Sequence, residues 1–203
     1  MNKQVIISIG REFGSGGHAI AESLSKKFRL PVYDHNILRE IAGEKNLDHK
    51  ELELYDEVPK SRLLSRTVRG YSNSPEENIA NMQFEFLRKL SERGTSFIVV
   101  GRCAESILKD FPGLISIFIL ADAEAKIERI QKIGGFSRAS AQAAIYNHDR
   151  SRKTYHNYYC VGKWGDSRNY DISVNSTRLG IEGTADMLET YIRKRIEQAE
   201  ASE

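Results

Sequence analysis

The stretch Val5 to Leu24, VIISIGREFGSGGHAIAESL, leaves this chain few folds to choose from. Val5, Ile6, Ile7 and Ile9 make a nearly continuous β-branched run, the pattern of a strand buried on both faces of a parallel sheet. The run stops at Gly10. Gly14, Ser15, Gly16 and Gly17 then give a backbone free to turn tightly, with several N–H groups directed into one concavity. Ala19, Ile20, Leu24 and Phe28 follow at helical spacing, so the predicted helix sets its positive end against that concavity. Phosphate is the expected guest, although strand, glycine turn and helix also occur as plain corners in α/β proteins.

The common phosphate loop reads G-x-x-x-x-G-K-S/T. Aligned on Gly16, its lysine position here holds Gly17, and its hydroxyl position holds His18 or Ala19. Arg11, Ser15 and His18 are the local polar substitutes.

Downstream, Leu30 to Asp34 (LPVYD) reads as a short strand ending at the edge where open α/β sheets bind ligands. Asp34 also precedes the helical pattern of Ile37, Leu38 and Ile41, so it serves equally as a helix cap or a ligand group. Residues 46–93 read as a charged helical insert, broken by YSNSP at 71–75. Within it Arg62, Arg66 and Arg69 share one helical face, either solvated or turned to phosphate, and Ile79, Met82, Phe86, Leu87 and Leu90 mark an amphipathic helix. Ser96 to Val100 (SFIVV) is another buried strand, and it runs into Gly101 and Arg102. That order places a guanidinium at the ligand crevice, where bidentate binding of phosphate is its natural task. Cys103 beside it reads as packing.

Ile115 to Leu120 (ISIFIL) is a fourth strand, followed by a helix over 121–133 that carries Arg129. After a break at 134–137, a helix is predicted over 139–146, then a segment at about 147–168 dense in arginine, lysine and tyrosine, including Asp149, Arg150 and Arg152. Basic and aromatic residues interleaved in this way fit single-stranded nucleic acid or a lid over a triphosphate. The formal net charge of +2 favours the lid and argues against nucleic acid or membrane as partner. Tyr170 to Asn175 is a fifth strand, and a C-terminal helix is expected to fray from Glu197.

At 203 residues the chain fits one domain with a small insert. Cys103 and Cys160 form no C-x-x-C pair, which points to a reducing compartment without structural zinc. A metal site built from His148, His156 and Cys160 is set aside, since their spacing matches no familiar pattern. The N-terminus opens on a strand, and no apolar run approaches the ~20 residues of a membrane span, so a cytoplasmic protein is expected. The oligomeric state is open.

GREFGSGG, LPVYD, IVVGRC, KWGD and YDISVNS, taken together over nearly the whole chain, resemble the cytidylate kinase-like family of P-loop nucleoside monophosphate kinases. The resemblance implies a three-layer α/β/α fold with a five-stranded parallel sheet, a helical monophosphate-binding insert and a lid. It implies transfer of the ATP γ-phosphoryl group to CMP or dCMP, with Mg2+. Gly14, Ser15, Gly16, Gly17 and His18 would hold the donor phosphates. Arg102 and Arg129 would hold the acceptor phosphate, with Asp34 and Asp149 also at the substrate, while Arg11, His18, Arg129, Arg150 and Arg152 would serve catalysis. Authentic cytidylate kinases carry the loop lysine, and an aspartate where Cys103 stands. Arg11, His18 or Lys163 would then replace the lysine, and Glu12, Asp34 and Glu105 are the unranked candidates for magnesium. A protein that binds nucleotide without turnover, or a kinase of another small phosphorylated acceptor, is the alternative.

Overall fold

The computed structural model describes residues 4–45, 48–56, 58, 67–68, 71–72 and 74–201. The opening run forms β1 (Ile6–Arg11), buried over its whole length. The chain continues through α1 (Gly17–Phe28), β2 (Val32–Tyr33), α2 (Asn36–Lys45) and α3 (His49–Glu53) into a short pair, β3 (Thr67–Val68) and β4 (Tyr71–Ser72). Then come α4 (Pro75–Glu92), β5 (Phe97–Val100), α5 (Ala104–Ile107), β6 (Leu114–Leu120), α6 (Ala123–Gly134), α7 (Arg138–Tyr159), β7 (Ile172–Asn175) and α8 (Gly180–Ala201).

Five strands make one all-parallel sheet in the order β2-β5-β1-β6-β7, so the fold is α/β. β1 is central, with Ile9 aligned to Val100 of β5 and to Ile117 of β6. The chain leaves β1 toward one edge and β5 toward the other. The carboxyl ends of these two neighbours therefore flank the crevice in which such sheets bind ligands. The glycine turn follows one of them and Gly101-Arg102 the other.

Successive strand residues point to opposite faces, and this splits the core in two. Ile7, Ile9, Ile98 and Ile117 pack against Ile20 and Leu24 of α1 and Leu188 and Ile192 of α8. Ile6, Phe97 and Val99 face the other way, against Ile37 and Leu38 of α2 and Ile79 and Leu87 of α4. Each such buried side chain contributes about 1.5–3 kcal/mol.

Three readings of the sequence change. The insert is not helical throughout: Thr67 pairs with Ser72 and Val68 with Tyr71 in an antiparallel ladder, as their β-branched and aromatic content favours. Arg62, Arg66 and Arg69 lie outside the described residues. The helix expected over 139–146 runs on to Tyr159, so half of the 147–168 segment is helix. Ser137 caps its start by accepting from the Ser140 amide, no glycine or proline follows before Gly162, and burial of Tyr155 and His156 anchors its last turns. Finally, α8 continues to Ala201 rather than fraying from Glu197. No helix among the described residues is long and apolar enough to cross a membrane.

Candidate active site

The glycine turn takes its shape from two left-handed residues, Gly14 (φ 79°) and Gly16 (φ 84°), the latter at the N-cap of α1. Ser15 braces the turn from within: its hydroxyl donates to the Glu12 carbonyl at 2.8 Å, and its own carbonyl accepts from Ser176 Oγ at 2.6 Å. Arg129 of α6 donates to the Gly14 carbonyl and holds the turn from outside. The first N–H groups of α1 have no partner within the helix. They present its positive end to a cavity of about 410 Å³ lined by Arg11, Gly14, Gly17, His18, Arg129 and Arg152.

A side chain on Gly17 would force Arg11 to shift. A Cβ on it would fall 2.6 Å from Arg11 Cβ and 3.0 Å from Arg11 Cγ. The stem of Arg11, at the end of β1, fills the path a lysine at residue 17 would take. His18 projects outward, with its side chain 58% exposed and Nδ1 3.0 Å from Asp34 Oδ2. Lys163 is exposed on the loop after α7 and does not line this cavity.

Arg102 lies across the crevice, and its side chain is fully buried. Gly101, Arg102 and Cys103 all have positive φ (77°, 60° and 55°), which for the two residues with a Cβ costs about 1–2 kcal/mol each. The strained turn directs Arg102 Nη2 to Asp56 Oδ2 at 2.8 Å and toward Asp34 Oδ1 at 3.5 Å. Asp56 is held in turn by Gln83 Nε2 at 2.9 Å and by His35 Nδ1 at 2.8 Å. The hydrogen bond to Asp56 raises the His35 pKa above its ordinary value, with Asp34 adding to it against burial and the Arg102 charge. Arg11 Nη2 stands 3.7 Å from Asp34 Oδ1, so Asp34 sits among Arg11, Arg102 and His18. Beside this network is a small cavity of about 20 Å³ lined by Arg11, Arg102 and Arg152, with Glu105, Tyr155 and His156 among its other walls.

The helix α7 docks on the glycine turn through Phe13. His148 stacks on the Phe13 ring at 4.1 Å, and the Arg152 guanidinium lies 5.8 Å from its centroid. Asp149 accepts from the Phe13 amide at 2.6 Å and from Lys126 Nζ at 3.2 Å, and Lys126 also reaches Glu12 Oε2 at 3.0 Å. Asp149 thus straps the helix to the loop. Arg150 and Arg152, two residues apart on a helix, point to different faces. Arg152 enters the site, whereas Arg150 lines a separate groove with Tyr146, Lys153 and Trp164.

Asp56, His35, Gln83 and Lys126 had no sequence signal of their own. Lys126 stands one turn before Arg129 on α6, and that spacing was the only available hint.

Behind the Arg102 turn, Glu105, His156 and Cys160 converge, while His148 lies apart, stacked on Phe13. His156 Nε2 is 2.7 Å from Glu105 Oε1, and both side chains are buried. Burial works against the charged ring, yet the hydrogen bonds to Cys160 and Glu105 prevail and raise the His156 pKa to about 10. A hydrogen bond from Cys103, with His156 beside it, pulls the Cys160 thiol down.

Among the described residues, the three carboxylates read as magnesium candidates are already engaged. Glu12 is engaged by Lys126, Asp34 is surrounded by cationic side chains, Glu105 is buried against His156, and the hydroxyl position of the loop holds His18 or Ala19.

Comparison with known proteins agrees with this layout. An uncharacterized protein from Eubacterium ventriosum is 37% identical, with a TM-score of 0.75 over 94% of this chain and 99% of that one. Shikimate kinase from Bacteroides thetaiotaomicron (14% identity, TM-score 0.56, 93% of this chain and 98% of that one) has the same fold. So does shikimate kinase from Acinetobacter baumannii in complex with shikimate (11% identity, TM-score 0.54, 95% of each chain). No curated protein sequence matches the chain. The model of the cytidylate kinase-like family matches residues 6–178, and the chain, a small-molecule phosphotransferase on a P-loop kinase fold, belongs to that family.

Proposed function

We propose that this protein transfers the γ-phosphoryl group of ATP to the phosphate of CMP or dCMP, giving ADP and the nucleoside diphosphate. The observation that carries the reading is the placement of Arg11 and Arg152, which line both the glycine-turn cavity and the smaller cavity at Arg102. Donor phosphates fit the first N–H groups of α1, and an acceptor phosphate fits Arg102. Between them, Arg11 and Arg152 face the path of the migrating group.

Phosphoryl transfer needs positioning and charge neutralisation more than covalent help from the protein. An acceptor phosphate oxygen attacks the γ-phosphorus, the bond to the β–γ bridging oxygen breaks, and ADP leaves with that electron pair. Arg11, whose stem excludes a lysine at residue 17, takes the lysine's share of the equatorial charge. Asp56 and Asp34 fix the Arg102 fork, and Asp149 and Arg129 keep the loop and α7 in register. Three arginines around one small cavity suit an anionic acceptor better than a neutral alcohol. Magnesium would enter on the ATP phosphates, since the nearby carboxylates are already paired.

Calorimetry of CMP and ATP separately, on the wild type and on Arg102→Ala, tests the assignment. The variant should bind CMP about 2 kcal/mol more weakly and ATP almost unchanged. Arg102→Lys, which keeps the charge but not the fork, serves if the alanine variant does not fold. Equal loss of both ligands contradicts the role of Arg102. A nucleotide-binding protein without turnover is the second reading, favoured by the absence of a loop lysine at Gly17. It would bind both ligands and release no ADP.

A further inference from the structure

The last turn of α7 brings His156 and Cys160, four residues apart, to one side of the helix end. There they meet Glu105 from α5, 51 residues away in sequence. One ligand atom from each, His156 Nε2 or Nδ1, Cys160 Sγ and a Glu105 oxygen, lies within 4.8 Å of the others. Cys103, at the N-cap of α5, lies beside Cys160 but outside this set of mutually close donor atoms. A cleft of about 370 Å³ lined by Glu105, Lys109, His156, Cys160 and Asn169 leads to the cluster from outside.

We propose that Glu105, His156 and Cys160 form a zinc site that clips the end of α7 to α5, just after the turn carrying Arg102. A thiolate, an imidazole and a carboxylate, with water in the fourth position, are a tetrahedral donor set suited to Zn2+ and unsuited to Mg2+ or Ca2+, which take oxygen. Donor atoms at about 2.0–2.3 Å from zinc stand roughly 3.3–3.8 Å apart, so modest side-chain adjustment closes the cluster on an ion. Binding takes the Cys160 thiolate and the neutral His156 ring, and the displaced protons go to solvent. No electron transfer is involved. Its effect would be positional, because Glu105 lies three residues after Arg102, and Arg152 lies one turn before His156 on α7. The site is separate from the glycine-turn cavity, and its test does not depend on what the protein phosphorylates.

The test uses the full chain, purified under reducing conditions, stripped with chelator and reloaded with Zn2+ or Co2+ alone. The expected result is one Zn2+ retained per chain after gel filtration. The Co2+ form should show the thiolate charge-transfer and d–d bands of tetrahedral coordination. Cys160→Ser and His156→Gln should lose the retained ion and those bands. As a check that needs no variant, Zn2+ should protect the wild-type Cys160 thiol from a thiol reagent under native conditions. Retention below one ion per chain, Co2+ spectra of six-coordinate type, or a Cys160 thiol that reacts at the same rate with and without Zn2+ would overturn the proposal. So would retention undiminished in a folded Cys160→Ser variant.

Discussion

Arg11 and Gly17 compete for one volume: a Cβ on residue 17 would sit 2.6 Å from the Arg11 Cβ. The loss of the loop lysine and the presence of an arginine at the end of β1 are therefore one structural fact. A chain with Arg11 in this position has no room for a lysine at residue 17.

The first consequence concerns exchange of the two positions. Gly17→Lys alone should destabilise the fold by about 1–3 kcal/mol through overpacking. Arg11→Gly alone should lower kcat about a hundredfold or more by removing a charge from the transferring group. Combined, the two changes put a cation back by the other route, so the double variant should recover part of both losses. Steady-state kinetics and urea unfolding of the three variants check this. A double variant no better than Arg11→Gly would place the charge of Arg11 elsewhere.

Asp56 and Arg102 form a buried ion pair, with 6% and 0% of their side chains exposed. Removing one partner leaves a buried charge. Asp56→Ala should cost about 3 kcal/mol of unfolding free energy, at the low end for such pairs because Asp34 stays 3.5 Å from Arg102. Asp56→Asn, which keeps an acceptor oxygen, should cost less. Urea titration measures both.

His35 gives the network a pH dependence. Its pKa is raised from the ordinary value of 6.5, chiefly by the hydrogen bond to Asp56, in surroundings that also hold Asp34 and Arg102. A raised pKa means that the charged form is favoured in the folded state. Its stabilisation is complete below pH 6.5 and is lost as pH rises through the raised value. The side chain is 67% exposed, so the effect should be small. The difference in thermal midpoint between wild type and His35→Gln should shrink as pH is raised from about 6 to about 9. A difference that grows with pH would reverse the assigned charge state.

Asp149 ties α7 to the loop through the Phe13 amide and Lys126. Asp149→Ala should speed exchange of the Phe13 amide hydrogen and raise KM for ATP while lowering kcat, since loop and Arg152 lose their register together. Hydrogen exchange resolved at Phe13, run with kinetics, reads both effects. An unchanged Phe13 amide would mean that the loop holds its shape without the strap.

What the sequence revealed was local. The strands were legible because runs such as IISI, FIVV and ISIFIL are continuous, and Arg102 because it directly follows one of them. The partners were hidden because they come from afar. Asp56 meets Arg102 across 46 residues from a stretch without periodicity, and Asp149 meets Phe13 across 136. Arg150 and Arg152 could not be told apart until the helix phase of α7 was known. His156 and Cys160 lacked a recognisable spacing because their third partner, Glu105, lies on another helix.

The most direct measurement is a coupled ADP-release assay with ATP, magnesium and each of CMP, dCMP, UMP, AMP and GMP. The expected result is turnover with CMP or dCMP preferred, which would show a loop without lysine to be competent with Arg11 in its place. ATP binding without turnover on any of these acceptors would contradict the account.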